Sequence, residues 1–569
     1  MIAIEDRLSR LLKGLLAGTD VPAAGPEALA SEAAFRWEIP KDPSFGDLSS
    51  SLAFKLAAAQ RKPPQHIAEA LSQTFLAACR QHSLGSWIER VEAKAGFLNV
   101  FLSQDALTQV LSKVLRERGR FGTRTRRPAA HVSIEFVSAN PTGPLSVAHG
   151  RQAAVGDVLA RLLRSQGERV TTEYYLNDEG RQIDLLGKSL RARYLQQLGC
   201  PEPFPDDGYH GTYLADAAVR LIAKRQDSLA DAPASAFADL AMAQQLAGIK
   251  ADLARFGLVF DRWTSQRWLR TSGRIDRTLE ALRARGALYE SEEATWLAST
   301  KFGDDKDRVV RKRDGELTYL APDIAYHQWK ARRGYDRLVN LWGPDHHGYI
   351  ARVKAAMSAL GLPTDRLIVR IVQLVTLSRK GQPVPMSKRQ GEFVTLREIL
   401  DEVGVDATRF FFLMRTAESH LDFDLELAKA HSQDNPVYYV QYAHARICSI
   451  LTKVPGTSPV RFGPMLWKTP WRMSRADLSL LTQPEERLLM RWLFQYPIVL
   501  RLCAAALEPH GITTYLRKLA ETFHVFYTKH RVISEDRRLS AARLALVRAT
   551  RQVFANGLGL LGVTAPRRM

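Results

Sequence analysis

The stretch HVSIEFVSANPTGPLSVAHGRQAAVGDVLARLLRSQGERVTTEYY, residues 131–175, decides the fold. It opens with an apolar β-type run, His131 to Val137, rich in the branched and aromatic residues that suit a pleated, buried surface. The turn SANPTGPLSVAHG breaks the run, since proline removes a ladder donor and glycine frees the backbone. Apolar residues then recur at Val155, Val158, Leu159, Leu162 and Leu163, the spacing of a helix laid on a sheet. A second β-type run, RVTTEYY at 169–175, follows. Strand, crossover helix and strand form a βαβ unit, which implies a parallel sheet. Such a strand-turn-helix junction also gathers unpaired backbone N–H groups at the helix start, where the macrodipole favours phosphate.

Working outward, RLVNLWG at 337–343 and RLIVRIVQLV at 366–375 resume the sheet pattern, while about 207–275 is strongly helical and reads as an insertion. Upstream, residues to about 125 alternate helical patterns such as SLAFKLAAAQ with the strand-like GFLNVFL at 96–102. They end in a basic stretch, RGRFGTRTRR, that reads as a linker. Beyond about residue 400 the β signal fades, and amphipathic helices such as PVYYVQYAHARICSILTKV and GITTYLRKLAETFHVFYTKH run to the end, with a surface loop expected at 455–475. The expected class is α/β: a parallel-sheet domain between an α+β segment and an all-helical one.

Composition narrows the function. At 569 residues the chain is long enough for several domains, each with its own core, and 46% hydrophobic against 25% charged residues is far from a disordered composition. Lys and Arg number 80 against 60 Asp and Glu, a net charge of +20. That surplus draws polyanions, so nucleic acid is the first partner to consider. Cys79, Cys200, Cys448 and Cys503 form no CxxC pair, which indicates neither a zinc site nor a disulfide framework and fits a reducing cytoplasm. No apolar run approaches the roughly 20 residues that span a bilayer. The start, MIAIEDRLSR, has no signal-peptide core. A cytosolic protein with no membrane partner is expected.

Three constellations carry chemistry. The turn at 138–150 ends in His149 and Gly150; the histidine can donate to a nucleotide phosphate or merely cap the helix, and the glycine lets a nucleotide approach the backbone. The glycine-bracketed stretch GQPVPMSKRQGEFVTL at 381–396 holds Lys388 and Arg389, either a solvated charged loop or two cations that clamp a triphosphate as charge builds in an in-line displacement. In WGPDHHGY at 342–349, Asp345, His346 and His347 follow a strand. Adjacent histidines rarely share one metal ion, so contacts to a ribose or base are the expected use.

Order joins these pieces. A turn ending in His-Gly after the first strand, GxDHHG after a later one and an MSK loop after the last together resemble the class I aminoacyl-tRNA synthetases. Within that class SIEFVSANPTGPLSVAHGRQAAVGD, LNDEGRQIDLLGKSL, LTYLAPDIAYH, DEVGVDATRFFFLMRTAESHLDFDLELA, NPVYYVQYAHARI, IPKDPSFGDLSSSLAFKLA and the closing APRRM resemble the bacterial arginyl-tRNA synthetases over nearly the whole chain.

The resemblance implies a tRNA-elbow-binding domain over 1–125, a Rossmann-type catalytic domain over 126–400 and a helical anticodon-binding domain over 401–569. It implies that Glu135 and Asp323 supply carboxylates for the substrate guanidinium, whose planar fork of donors matches them. Tyr319 and Gln373 would shape the side-chain slot, and Ser138 and Asn140 would hold the α-amino and carboxylate end. ATP would lie among His149, Gly150, Gly343, Asp345, His346 and the loop Met386, Ser387, Lys388 and Arg389, with His149, Lys388 and Ser146 taking part in catalysis. The implied reaction is attack of the arginine carboxylate on the α-phosphorus, then transfer from arginyl-adenylate to the terminal ribose of tRNA-Arg, releasing AMP. Magnesium enters with the ATP phosphates and no protein-held metal or zinc is implied. Like a few other synthetases, members need bound tRNA before they activate the amino acid. For the tRNA, Tyr438, Tyr439, Tyr442 and Arg446 lie along one helix and Arg517, Lys518, Tyr527 and Lys529 later; a tyrosine stripe at that spacing is equally a core face or a base platform. The family suggests a monomer.

The chain departs from the family wording in two places. Ser146-Val147-Ala148-His149 stands where the family has His-x-Gly-His, and Pro385 replaces the first lysine of the KMSKS-type loop. The departures leave a second reading open, a paralogue that binds tRNA without charging it, and a third, another adenylate-forming enzyme on the same fold. The retained Glu135, Asn140, Tyr319, Asp323 and Gln373 favour the ligase.

Overall fold

The computed structural model describes residues 4–17, 35, 37–40, 42–82, 84–125, 128–200, 202–384, 394–453 and 476–569. The N-terminal segment is α+β. Strands β1 (Leu48–Ser50), β2 (Ile88–Lys94) and β3 (Phe97–Leu102) form an antiparallel sheet in the order β1-β3-β2. Helices Leu52–Gln60, Pro64–Gln81 and Gln104–Glu117 accompany them.

The decisive stretch folds as β4 (His131–Glu135), a helix over Val147–Ser165 and β5 (Arg169–Leu176). With β6 (Arg262–Ser265), β10 (Arg337–Trp342) and β11 (Leu367–Ile371) they build a five-stranded, wholly parallel sheet in the order β11-β10-β4-β5-β6. The chain runs outward from β4 through β5 and β6, then returns to add β10 and β11 on β4's other side. The strand order therefore reverses between β4 and β10, and an open parallel sheet places its ligand crevice at the carboxyl ends of such neighbours.

The crossover helix is buried along most of its length, and one glycine lets it lie that close. A Cβ on Gly156 would stand 2.3 Å from the Phe136 ring. Alanine would add about 1 kcal/mol of helix propensity, but the overlap forces the ring or the helix to move, typically at about 1–3 kcal/mol. Gly156→Ala is therefore expected to destabilise the chain in urea unfolding; a higher midpoint would show that Phe136 has room to yield.

Three features differ from the sequence expectation. Within 207–275 the helices Thr212–Arg225 and Ala234–Arg255 do form, but the last third returns to the main sheet as β6. Strands β7 (Leu288–Ser291), β8 (Ala294–Leu297) and β9 (Arg308–Arg311) make an unanticipated antiparallel sheet. The run 366–375 splits into β11 and β12 (Val375–Arg379); β12 pairs with β13 (Gln382–Pro383) and, in parallel, with β14 (Leu421–Asp424), so the segment after 400 is not wholly helical.

Beyond β14 the helices Pro436–Thr452, Pro484–Ala506, His510–Lys529 and Arg537–Leu561 pack together. Pro484–Ala506 is, contrary to expectation, long and apolar enough to cross a membrane by composition. It nonetheless packs on Gln104–Glu117 and His510–Lys529 and buries Glu486 against Arg543, 2.7 Å away. The expected loop at 455–475 lies outside the described residues.

Candidate active site

A cavity of about 530 Å³ opens at the carboxyl ends of β4, β5 and β10, lined by Glu135, Tyr175 and Trp342 from those ends. The chain leaves β4 through a γ-turn closed by Ser138 N–H donating to Phe136 O at 2.9 Å, around Val137 at φ +67°. A β-branched residue there is strained, and buried packing holds it. The turn swings Ser138, Ala139 and Asn140 off the strand line onto the cavity wall.

Ser146 and His149 resolve the drifted first motif. Ser146 caps the helix Val147–Ser165, with His149 at the third helical position completing a capping box. The Ser146 N–H donates to His149 Nδ1 at 3.1 Å, and Ser146 Oγ lies 3.0 Å from the same nitrogen. Because Nδ1 accepts, the ring proton sits on Nε2. The capping role weighed for this histidine is real, and it orients a ring that lines the cavity. Ser146 and Ala148 line the same wall. Gly150 does not. A Cβ there would meet Leu396 Cδ1 at 2.7 Å and Phe412 at 3.0 Å, so its missing side chain serves the packing of the helix Leu396–Phe412, where a nucleotide contact had been expected.

Beneath the cavity lies a buried polar chain. Lys330 is fully buried; its Nζ donates to Glu135 Oε2 at 2.6 Å and to Asn340 Oδ1 at 2.8 Å. Asn340 Nδ2 lies 3.0 Å from His327 Nε2, and His327 Nδ1 lies 2.8 Å from the Asp323 carbonyl. Burial, then Lys330, push His327 down to about 3. The neutral ring therefore donates from Nδ1 and accepts at Nε2, which fixes the Asn340 amide with its oxygen toward Lys330. Glu135 Oε1 accepts from Ser138 Oγ at 3.2 Å. Glu135, expected to supply a carboxylate to the guanidinium, is thus already paired from below.

Asp323 is different. Its Oδ2 accepts only from the Tyr349 hydroxyl, at 2.7 Å, among the hydrogen bonds described for its carboxylate. Burial raises it to about 7, a rise that Glu135 adds to and that Tyr349 and Lys330 oppose. A cation bound there must find the carboxylate ionised. Affinity for a guanidinium is therefore expected to be level above about pH 7 and to weaken about tenfold per unit below it. Binding of a guanidinium compound measured from pH 5.5 to 9 checks this; a profile flat to pH 5.5 would remove Asp323 from the contact.

Tyr319 lines the cavity mouth and is exposed, and Asn140 faces Gln182, Nδ2 to Oε1 2.7 Å. Gly343, Asp345 and His346 line the wall beyond β10; His347 does not. Gln373 is not a lining residue either, although Val372 and Leu374 are. Its backbone is tied instead to Ala417 O at 2.9 Å and to the buried Arg151, whose Nη1 donates to the Gln373 carbonyl at 2.9 Å. Pro385, Met386, Ser387, Lys388 and Arg389 lie outside the described residues. Gln182, Tyr349, Lys330 and Asn340 carry no role in the sequence reading, although the stretches LNDEGRQ, WGPDHHGY and RLVNLWG contain Gln182, Tyr349 and Asn340. Among the described residues no three His, Cys, Asp or Glu side chains are gathered as metal ligands.

In the C-terminal helices the Tyr438 and Tyr442 rings stack 6.0 Å apart, 11° from parallel. Tyr439 packs on His524. The Arg446 guanidinium lies 5.0 Å from the Tyr442 ring centre and 5.3 Å from that of Tyr527. Tyr442, Arg446, Tyr527 and Lys529 line a hollow of about 1570 Å³ together with Lys453, Arg551, Arg567 and Arg568. Arg517 and Lys518 are exposed outside it, and Lys518 pairs with Glu521.

A parallel sheet with this strand order, a histidine oriented by a capping box at the first crossover and a carboxylate-lined cavity at the switch point define a nucleotide-binding α/β fold, and the comparisons place it among the class I aminoacyl-tRNA synthetases. Three family models match: the arginyl tRNA synthetase N terminal domain over 3–102, the tRNA synthetases class I (R) catalytic domain over 270–417 and the DALR anticodon binding domain over 440–569. An arginine–tRNA ligase of Desulfosudis oleivorans is 47% identical over 539 residues, 94% of each chain. One of Thioalkalivibrio sulfidiphilus is 43% identical, covering 93% of this chain and 94% of its own. The Thermus thermophilus arginyl-tRNA synthetase structure shares the fold with a TM-score of 0.74 at 22% identity, covering 100% of this chain and 99% of its own. The chain belongs to the arginyl-tRNA synthetase (arginine–tRNA ligase) family.

Proposed function

We propose the following residue-level reading of this arginine–tRNA ligase. The guanidinium of arginine docks on Asp323 and on the remaining acceptor capacity of Glu135, while Ser138 and Asn140 hold the α-amino and carboxylate end. ATP lies along Ser146, Ala148, His149, Gly343, Asp345 and His346. The observation that carries the reading is the half-buried Asp323 carboxylate facing the cavity beside a γ-turn that turns Ser138 and Asn140 inward. With both substrates held, the arginine carboxylate attacks the α-phosphorus and pyrophosphate leaves; the 2′-hydroxyl of the terminal tRNA ribose then takes the arginyl group and AMP leaves. The first attack needs no side-chain base, because its nucleophile is already a carboxylate, and its rate comes from positioning and charge stabilisation; in the second the 2′-hydroxyl proton leaves with the departing AMP phosphate. His149 Nε2–H donates to a phosphate, with Ser146 as the group that aims it. Lys388 and Arg389 supply the cations for the leaving pyrophosphate. Magnesium travels with the ATP phosphates, as part of the substrate.

The domain reading is an elbow-binding segment at 1–125, a catalytic domain at 126–400 and an anticodon domain at 401–569, supported by the order of the three family matches. The basic hollow beside Tyr442 and Arg446 suits splayed anticodon bases between aromatic and cationic groups, whereas Arg517 and Lys518 are less suited to it. We read the protein as a cytoplasmic monomer. The capping box favours a working enzyme over the paralogue that binds without charging, because the drifted motif still orients its histidine.

In aminoacylation assays His149→Ala and Lys388→Ala are expected to lower kcat by about a hundred-fold, the scale of a lost charge-stabilising donor, with arginine KM nearly unchanged. An unchanged kcat in both would overturn the ATP placement.

A further inference from the structure

Glu135 lies near enough to Asp323 to raise the cost of its carrying charge, yet a guanidinium brings only one positive charge to the pair. The surplus has a partner inside the core. Lys330 is fully buried, holds Glu135 at 2.6 Å and is itself held by Asn340, by the His327 chain behind it and by the Tyr326 ring, 4.6 Å from Nζ. Two carboxylates and one ammonium leave a single net negative charge facing the cavity.

We propose that Lys330 is a specificity-determining positioning residue. By pairing Glu135 from beneath, it sets the amino-acid pocket at one net negative charge, matched to one guanidinium and mismatched to an uncharged side chain of the same shape. The inference rests on the reading that Asp323 and Glu135 receive the guanidinium. Without the ammonium, Asp323 would face Glu135 unopposed and hold its proton to higher pH, since Lys330 is among the groups that keep it down. The other titratable groups around Asp323 are His327 and Tyr326 on its own helix, Tyr175 from β5 with Asp178 and Glu179 acting on it, and Tyr349 with Arg352 and Arg308 acting on it; Glu135 and Lys330 are the charges that act on Asp323 itself.

The test is the pH profile of arginine KM in tRNA charging for the wild type, Lys330→Met, Glu135→Gln/Lys330→Met and Asp323→Asn. Lys330→Met is expected to move the break in the profile up by about one unit or more and to raise KM at pH 7.5 by about tenfold or more, recovering by pH 9. ATP KM and kcat should change by less than about threefold, and citrulline, the uncharged isostere, should inhibit relatively better than in the wild type. The double variant removes one charge of each sign, so its break should return to the wild-type position even though KM stays raised by the lost Glu135 contact. If Lys330→Met does not fold, the double variant decides alone. A break displaced in the double variant, or unmoved in a folded Lys330→Met, overturns the proposal. An Asp323→Asn protein with wild-type KM overturns the guanidinium reading instead, whichever way the Lys330 variants fall.

Discussion

Asp323→Asn is expected to raise the KM for arginine by about a hundred-fold or more at pH 8, with ATP KM and tRNA affinity nearly unchanged. The substitution keeps the shape of the side chain and an oxygen to accept from Tyr349, now 2.7 Å away. It removes the charge that faces the guanidinium, and losing one partner of a desolvated charge pair costs about 2–5 kcal/mol. Stability should move the other way. Asp323 is raised to about 7 in the folded chain, above its unfolded value. Its favourable contribution is complete below the unfolded value and is lost as pH rises through about 7. At pH 8 the native protein therefore carries a carboxylate it would fold better without, and the asparagine variant should melt higher than the wild type, with the difference vanishing near pH 4. A variant that binds arginine normally, or that melts lower at pH 8, would contradict the assignment.

The largest expected loss of stability comes from Arg409→Met. Arg409 is fully buried in the helix Leu396–Phe412; it pairs with Asp157 of the first crossover helix and donates to Leu561 O at 2.8 Å and Phe256 O at 2.9 Å. Both carbonyls lie at helix carboxyl ends, where unpaired C=O groups and the macrodipole favour a cation. One side chain thus ties the sheet domain, the helical insertion and the last helix together. Methionine fills similar volume but leaves two carbonyls unpaired and Asp157 with Arg161 alone, 2.9 Å away, among its described ion-pair partners. The expected loss is about 3–5 kcal/mol, read as a lower urea midpoint together with loss of charging. A shift below about 1 kcal/mol would mean that apolar packing alone joins these units.

The βαβ unit was legible because its periods change from two to 3.6 and back within 45 residues of unbroken pattern, 131–175. The cavity followed, since its wall is built at the ends of strands whose edges the sequence marks. Elsewhere the signal failed for identifiable reasons. β6 and β14 have only four residues each, too short for alternation to register. Gly150 reads like a nucleotide-facing glycine because nothing local records that Leu396 and Phe412, some 250 residues away, pack against it. Ser146 reads as a damaged motif until the hydrogen bonds to His149 are seen. Lys330 is invisible for the same reason: on a helix pattern it is one more surface lysine, and only the sheet register that sets Asn340 beside Glu135 makes it a buried counterion.

The most direct test of the account is attachment of labelled arginine to tRNA-Arg by the purified chain, in parallel with its Asp323→Ala variant and with tRNA binding measured on both. The account predicts charging by the wild type and a loss of about a hundred-fold or more at subsaturating arginine in the variant, with tRNA binding intact in each. Tight tRNA binding without charging by the wild type would contradict it and leave an RNA-binding relative of the synthetases.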